Sequence, residues 1–170
     1  MNTSAIFKSI LFTVFIPGTV AIFFPYLLIQ YYPDHFDNSI LYYLGLVILL
    51  LGIIFYLLSV LSFIDLGGTP QIYFMKKIEK IFGLEPDQLA QSGIYNFSRN
   101  PMYAGVALTT FGVGLILQSP IIVLWAVIFF GLTNIVVILI EEPHLKSKYG
   151  ESYEIYYQKT PRWIGIQKKK

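Results

Sequence analysis

The chain has 170 residues, of which 55% are hydrophobic, 17% aromatic and only 13% charged. A soluble domain carries about 25% charged residues, so too few polar side chains are present to coat a water-facing surface, and a lipid bilayer is the principal solvent. That composition excludes disorder, a coiled coil and a small secreted scaffold. A net charge of +2 is too small to indicate a nucleic-acid partner, and zero cysteines with two histidines, His35 and His144, exclude a thiol nucleophile and a Cys- or His-built metal site.

Ser9 to Pro33 contains no Asp, Glu, Lys or Arg. A spanning helix takes roughly 20 apolar residues, and the run predicts a first span over 7–30, kinked at Pro17-Gly18 and Pro25. It is too long for the core of a signal peptide, and no small-x-small cleavage site follows it, so it is read as a retained span. The uncharged run Asn38 to Ile64 predicts a second span over 40–64, with Asp65 marking its boundary. The connection over 65–100 is too long for a plain loop. Within it Ile72, Met75, Ile78 and Phe82 recur at helical spacing opposite Lys76, Lys77, Glu79 and Lys80. That is the pattern of an amphipathic helix lying among headgroups, as an anchor or as a lid.

The third uncharged run, Asn100 to Ile140, would make a helix of about 62 Å at 1.5 Å per residue. That is about twice a hydrocarbon core of roughly 30 Å, so the chain must cross, turn and cross back. Gln118-Ser119-Pro120 is the predicted turn, because Pro120 has no N–H and suits a first helical turn. Spans are therefore predicted over 102–118 and 120–141, with a tail over 142–170. In the tail Tyr149, Tyr153, Tyr156 and Tyr157 are predicted to share one helical face, either as an interfacial belt or as a wall for an adenine or a sulfonium.

With four spans, all 12 Lys and Arg residues fall on one side. They stand at the start of the first span (Lys8), occupy the 65–100 connection, or lie in the tail. Both termini are therefore predicted to be cytoplasmic. The fold class is all-α: one polytopic domain over 1–170, with four transmembrane helices and additional cytoplasmic or interfacial helices.

Chemistry concentrates on the same side. Glu141 and Glu142 stand at the end of the fourth span, where carboxylates oppose the helix dipole and are costly unless paired. Arg99 is one of two arginines and immediately precedes the third span, whose first-turn N–H groups can face an anion. A small transporter or channel would place an ionisable residue at mid-bilayer, and the uncharged runs contain none. A non-catalytic membrane scaffold is the other reading outside enzymes.

Arg99-Asn100-Pro101-Met102-Tyr103-Ala104-Gly105 resembles the RHPxY or RNPMYxG signature of the isoprenylcysteine carboxyl methyltransferase and phospholipid methyltransferase superfamily. Ser92-Gly93-Ile94-Tyr95 resembles its G-hydrophobic-Y element, and Gly67-Gly68-Thr69-Pro70 a GTP element of bacterial members. Glu141-Glu142-Pro143, Leu145, Tyr149-Gly150, Tyr153, Tyr156 and Thr160-Pro161-Arg162-Trp163-Ile164 resemble its closing pattern. The resemblance covers about 65–165. It implies an integral-membrane methyltransferase that takes S-adenosylmethionine into a cytoplasmic pocket and methylates a lipophilic acceptor from the bilayer. By motif position, Gln88, Leu89, Ala90, Tyr95, Asn100, Pro101, Met102, Tyr103 and Glu141 would contact the cofactor. Arg99 and Glu142 would support the pocket, and Arg162 would orient the tail or the substrate. The carboxyl-methylating enzymes carry a substrate arginine four residues before the cofactor glutamate. Here Val137 stands there, and Asn134 is the nearest polar residue of the span. A carboxyl acceptor is the leading reading, and an amine-bearing phospholipid is the alternative.

Overall fold

The structure is a computed structural model and describes residues 3–69 and 86–166. Every regular element among them is helical. The amphipathic segment expected over Ile72 to Phe82 lies outside the described residues. Three helices are long and apolar enough to cross a membrane: Thr3–Tyr31, Ser39–Asp65 and Pro120–Tyr149. The first comprises α1 (Thr3–Phe15), a π-helical turn (Thr19–Phe23) and α2 (Phe24–Tyr31); the second is α3 (Ser39–Asp65). Next come a 3₁₀ turn (Gly93–Asn96) and α4 (Pro101–Ile116). The third long helix is α5 (Pro120–Val136), a π-helical turn (Val137–Glu141) and α6 (Glu142–Tyr149), and α7 (Glu151–Lys159) follows.

The helix expected over 102–118 is shorter than expected. It ends at Ile116 and has 16 residues, which is about 24 Å of rise, less than the roughly 20 residues of a full span. Its lost length is the turn. Gln118 takes a left-handed φ of 51°, and Pro120 opens α5 as anticipated. That turn is tied to the first loop, because Asn38 N–H donates to Gln118 Oε1 at 2.6 Å and Phe36 N–H to the Gln118 carbonyl at 2.9 Å. Asn38 then caps α3, its Oδ1 accepting from the N–H groups of Ile40 and Leu41.

Both π-helical turns have the same local cause. Pro25 and Pro143 each stand just beyond one. A proline has no N–H, and its ring collides with the carbonyl four residues earlier, so the preceding turn widens. Phe24 N–H then reaches Thr19 instead of Val20, and Glu142 N–H reaches Val137 instead of Ile138. The released Val20 carbonyl is taken by the Trp125 indole at 3.0 Å, which docks the first helix on α5.

α4 is the most enclosed of these helices, and glycines set its distance from α3. A Cβ on Gly105 would stand 2.6 Å from the Tyr56 nitrogen, and one on Gly112 would stand 2.6 Å from the Leu49 nitrogen. Gly45 and Gly52 answer them from α3. This small-residue contact replaces a hydrophobic drive that lipid does not supply. The outward faces of α3 and of the third long helix carry exposed Leu50, Leu57, Leu124 and Leu139, as a lipid-facing surface requires. Gly105→Leu is expected to lower the thermal unfolding midpoint in detergent by an amount equivalent to about 3 kcal/mol or more. Gly131→Leu, where a Cβ meets nothing within 4 Å, should leave it nearly unchanged.

Candidate functional site

The start of α4 is zipped to the tail. Arg99 N–H donates to the Pro161 carbonyl at 2.9 Å, Asn100 Nδ2 to the Arg162 carbonyl at 3.0 Å, and Gly165 N–H to the Phe97 carbonyl at 3.0 Å. Ser98 Oγ accepts from Asn100 N–H at 3.0 Å. The Asn100 side chain is thus spent on the tail and gives α4 no side-chain cap, leaving the first turn without that usual partner.

Around this zipper Glu141 and Glu142 part company. The π-helical turn places Glu141 inward, 4% exposed, where its carboxylate accepts a hydrogen bond from the Tyr103 hydroxyl. Glu142 serves a separate network. Arg162 grips it in a fork, Nε to Oε1 at 2.7 Å and Nη2 to Oε2 at 3.0 Å, while Arg99 Nη1 lies 3.0 Å from Oε1. Hydrogen bonding to Glu142 holds the Arg162 guanidinium above its ordinary pKa. Arg99 also donates to the Thr160 carbonyl at 3.0 Å and the Tyr153 hydroxyl at 3.1 Å, and it stacks 4.0 Å over the Tyr157 ring. Its contacts are those of a support for Glu142 and the tail.

The tyrosines separate too, contrary to the single face expected. Gly150, at φ 54°, breaks the helix between Tyr149 and the rest. The Tyr149 hydroxyl donates to the Pro86 carbonyl at 2.6 Å, beside Lys148 Nζ at 3.1 Å. Tyr153 and Tyr156 are buried with Tyr95, and Tyr157 remains exposed under Arg99. Burial pushes the Tyr153 phenol up to about 12 and raises Tyr156, against the pull of Arg99 in each case. Tyr95 is raised well above its ordinary value by burial, with Tyr156 and Glu141 adding to the effect. All three are therefore neutral donors at physiological pH, and the charge balancing Arg99 is that of Glu142. The Tyr156 hydroxyl donates to the buried Tyr95 carbonyl at 2.7 Å. Tyr156→Phe should cost about 1–3 kcal/mol in unfolding measurements by orphaning that carbonyl, whereas Tyr157→Phe should cost little.

These elements enclose a narrow cavity of about 60 Å³. Of the residues singled out from sequence, Leu89, Ala90, Tyr95, Asn100, Met102, Tyr103 and Glu141 border it, and Arg99 joins them. Gln88 is exposed and Pro101 is buried behind the helix start; neither is in the wall. Glu142 and Arg162 lie in the adjoining ion-pair network, and Asn134 is apart, its Oδ1 accepting from the Trp163 indole at 3.0 Å. The wall also contains Phe63, Pro86, Leu145 and Tyr156. Phe63 was not singled out because it sits in an apolar run like any lipid-facing residue. Leu145 and Tyr156 did belong to the closing motif, and that was the available signal. The chemistry of the wall fits a nucleoside-bearing cation: a buried carboxylate for hydroxyls or an ammonium, a phenol beside it, and aromatic rings from Tyr95, Tyr149 and Phe63. No group of three or more potential metal ligands is found among the described residues.

One family model, described as phospholipid methyltransferase, matches residues 40–152. No curated protein and no solved structure matches the chain.

Proposed function

Because the chain belongs to the phospholipid methyltransferase family, and so is a methyltransferase with apolar, membrane-type helices, we propose that it transfers a methyl group from S-adenosylmethionine to a lipophilic acceptor. The observation that carries this reading is the cavity in which Tyr103 hydrogen-bonds the buried Glu141 beside Tyr95, Asn100 and Met102. When bound, S-adenosylmethionine supplies a methyl group already activated by its sulfonium. No nucleophile is then required of the protein, and positioning is its main task. Glu141 would hold a ribose hydroxyl or the ammonium, with Tyr103 fixing its orientation. The rings of Tyr95 and Tyr149 would flank the adenine or the cation. Glu142, clamped by Arg99 and Arg162, would hold the tail against α4 and so keep the wall assembled.

The proposed topology has four spans in one domain over 1–170, α4 being the short one, with both termini and the cavity on the cytoplasmic side. The positive-inside distribution supports it, and so does the enclosure of α4 by longer neighbours, which relieves it of matching the bilayer thickness alone.

For the acceptor, a carboxyl group on a lipophilic molecule is the first reading; it needs no base, whereas an ammonium must lose a proton. An amine-bearing phospholipid is the second. It is favoured by the family's description and by Val137, fully buried where carboxyl-methylating enzymes of the resemblance carry an arginine. Incubating the purified protein with a lipid extract and methyl-labelled cofactor separates them. Base-labile methyl ester is the expected product, label in amine headgroups would establish the second reading, and no labelled lipid would contradict both.

A further inference from the structure

The cavity beside Glu141 is smaller than the cofactor proposed for it. S-adenosylmethionine joins an amino acid to a nucleoside, and a pocket for a ligand of that class has roughly 300 Å³ or more. This cavity has about 60 Å³, so part of its wall must withdraw before the ligand enters. Most of the wall is fixed. The start of α4 is zipped to the tail by backbone hydrogen bonds, and Glu142 ties Arg99 to Arg162 behind it. Tyr95 and Tyr156 are buried together, with the Tyr156 hydroxyl on the Tyr95 carbonyl.

The exception is the segment 86–92, which supplies Pro86, Leu89 and Ala90 to the wall and belongs to no helix. Among the described residues, 86–91 are hydrogen-bonded to the rest of the chain at one point, the Pro86 carbonyl. There the Tyr149 hydroxyl donates at 2.6 Å and Lys148 Nζ at 3.1 Å. A carbonyl oxygen has two lone pairs, and these two donors fill both. Tyr149 is itself in the wall, with Lys148 Nζ 5.1 Å from its ring centre. Each side of the contact ends on a glycine at positive φ: Gly93 at 61° closes the segment, and Gly150 at 54° follows Tyr149. An added Cβ would meet only Ser62 Oγ at 4.0 Å at the first and nothing within 4 Å at the second. Glycines with such room around them absorb backbone rotation at little cost.

We propose that Tyr149 is a gating residue: its hydroxyl, with Lys148, latches the segment 86–92 over the cavity, and the ligand enters only after the Pro86 carbonyl is released. Taking that ligand to be S-adenosylmethionine rests on the reading above; the latch itself does not. Because the latched cavity is too small for the ligand, binding includes the cost of breaking the latch. The Tyr149 hydroxyl therefore opposes binding, whereas its ring serves it.

The test begins from the absence of cysteine in the chain. Met102→Cys, on the cavity wall and 8% exposed, gives a single thiol that a water-soluble methanethiosulfonate reaches when the segment opens. In full-length protein in detergent, Tyr149→Phe should raise its labelling rate about threefold to tenfold, the worth of one neutral hydrogen bond. Adding Lys148→Met should raise it further. Ala5→Cys, buried on α1, should label at one slow rate with or without Tyr149→Phe, which separates opening of the segment from general loosening. Calorimetry with S-adenosylhomocysteine on Tyr149→Phe in the otherwise unchanged chain should show affinity tighter by the same factor, because the ring stays and the latch goes. An unchanged Met102→Cys rate in the double variant, an equal rise at Ala5→Cys, or weaker affinity in Tyr149→Phe would overturn the proposal. The two readings fail separately. Faster labelling in a chain that binds no S-adenosylhomocysteine keeps the latch and removes the cofactor reading, and binding with unchanged labelling removes the latch alone.

Discussion

Replacing Glu141 with alanine is expected to weaken S-adenosylhomocysteine binding by between tenfold and a hundredfold, the worth of one or two hydrogen bonds to a charged group (about 1.5–3 kcal/mol). Glu141 is 4% exposed and faces the cavity with Tyr103 as its donor. A carboxylate in that position is costly to the fold, so the alanine protein should be at least as stable as the parent. This separates the expected loss of binding from a loss of folding. Tyr103→Phe removes only the orienting hydroxyl and should cost less, about threefold to tenfold. Unchanged affinity in the alanine protein, measured by calorimetry at equal folded fraction, would mean that the carboxylate does not touch the ligand.

Glu142→Ala is expected to do the opposite. Arg99, whose side chain is 6% exposed, and Arg162 would lose their shared anion. Breaking a buried ion pair from one side costs about 3–5 kcal/mol, because the remaining charge is left uncompensated. Unfolding in detergent should therefore shift down by that amount, and cofactor affinity should fall only insofar as the tail detaches. The double variant Arg162→Ala with Glu142→Ala should be less destabilised than the sum of the two single variants. Additive losses would show that the fork at 2.7 and 3.0 Å carries no coupling.

The contrast between these neighbours shows where sequence reading succeeds and where it stops. The uncharged runs located the long helices, because length and absence of charge are what a bilayer demands of a helix. The 118–120 turn was legible for a similar reason: a run twice too long must reverse, and Pro120 marks the place. That Glu141 and Glu142 point into different networks was not legible. It depends on a π-helical turn whose only local cause, Pro143, reads in sequence as an ordinary helix breaker. The tyrosine face failed at Gly150, whose positive φ divides what periodicity joined. Pairing of Asn134 with Trp163, 29 residues away, had no pattern to announce it. Gln88 and Pro101 were carried by motif position, which fixes a neighbourhood but not the direction a side chain takes within it.

The cavity beside Glu141 is the centre of the account, and binding of the cofactor product tests it before any acceptor is known. Titrating S-adenosylhomocysteine into the full-length protein in detergent, followed by calorimetry, should give saturable heat at one site per chain. An absence of heat up to millimolar ligand, from protein shown to be folded, would contradict it.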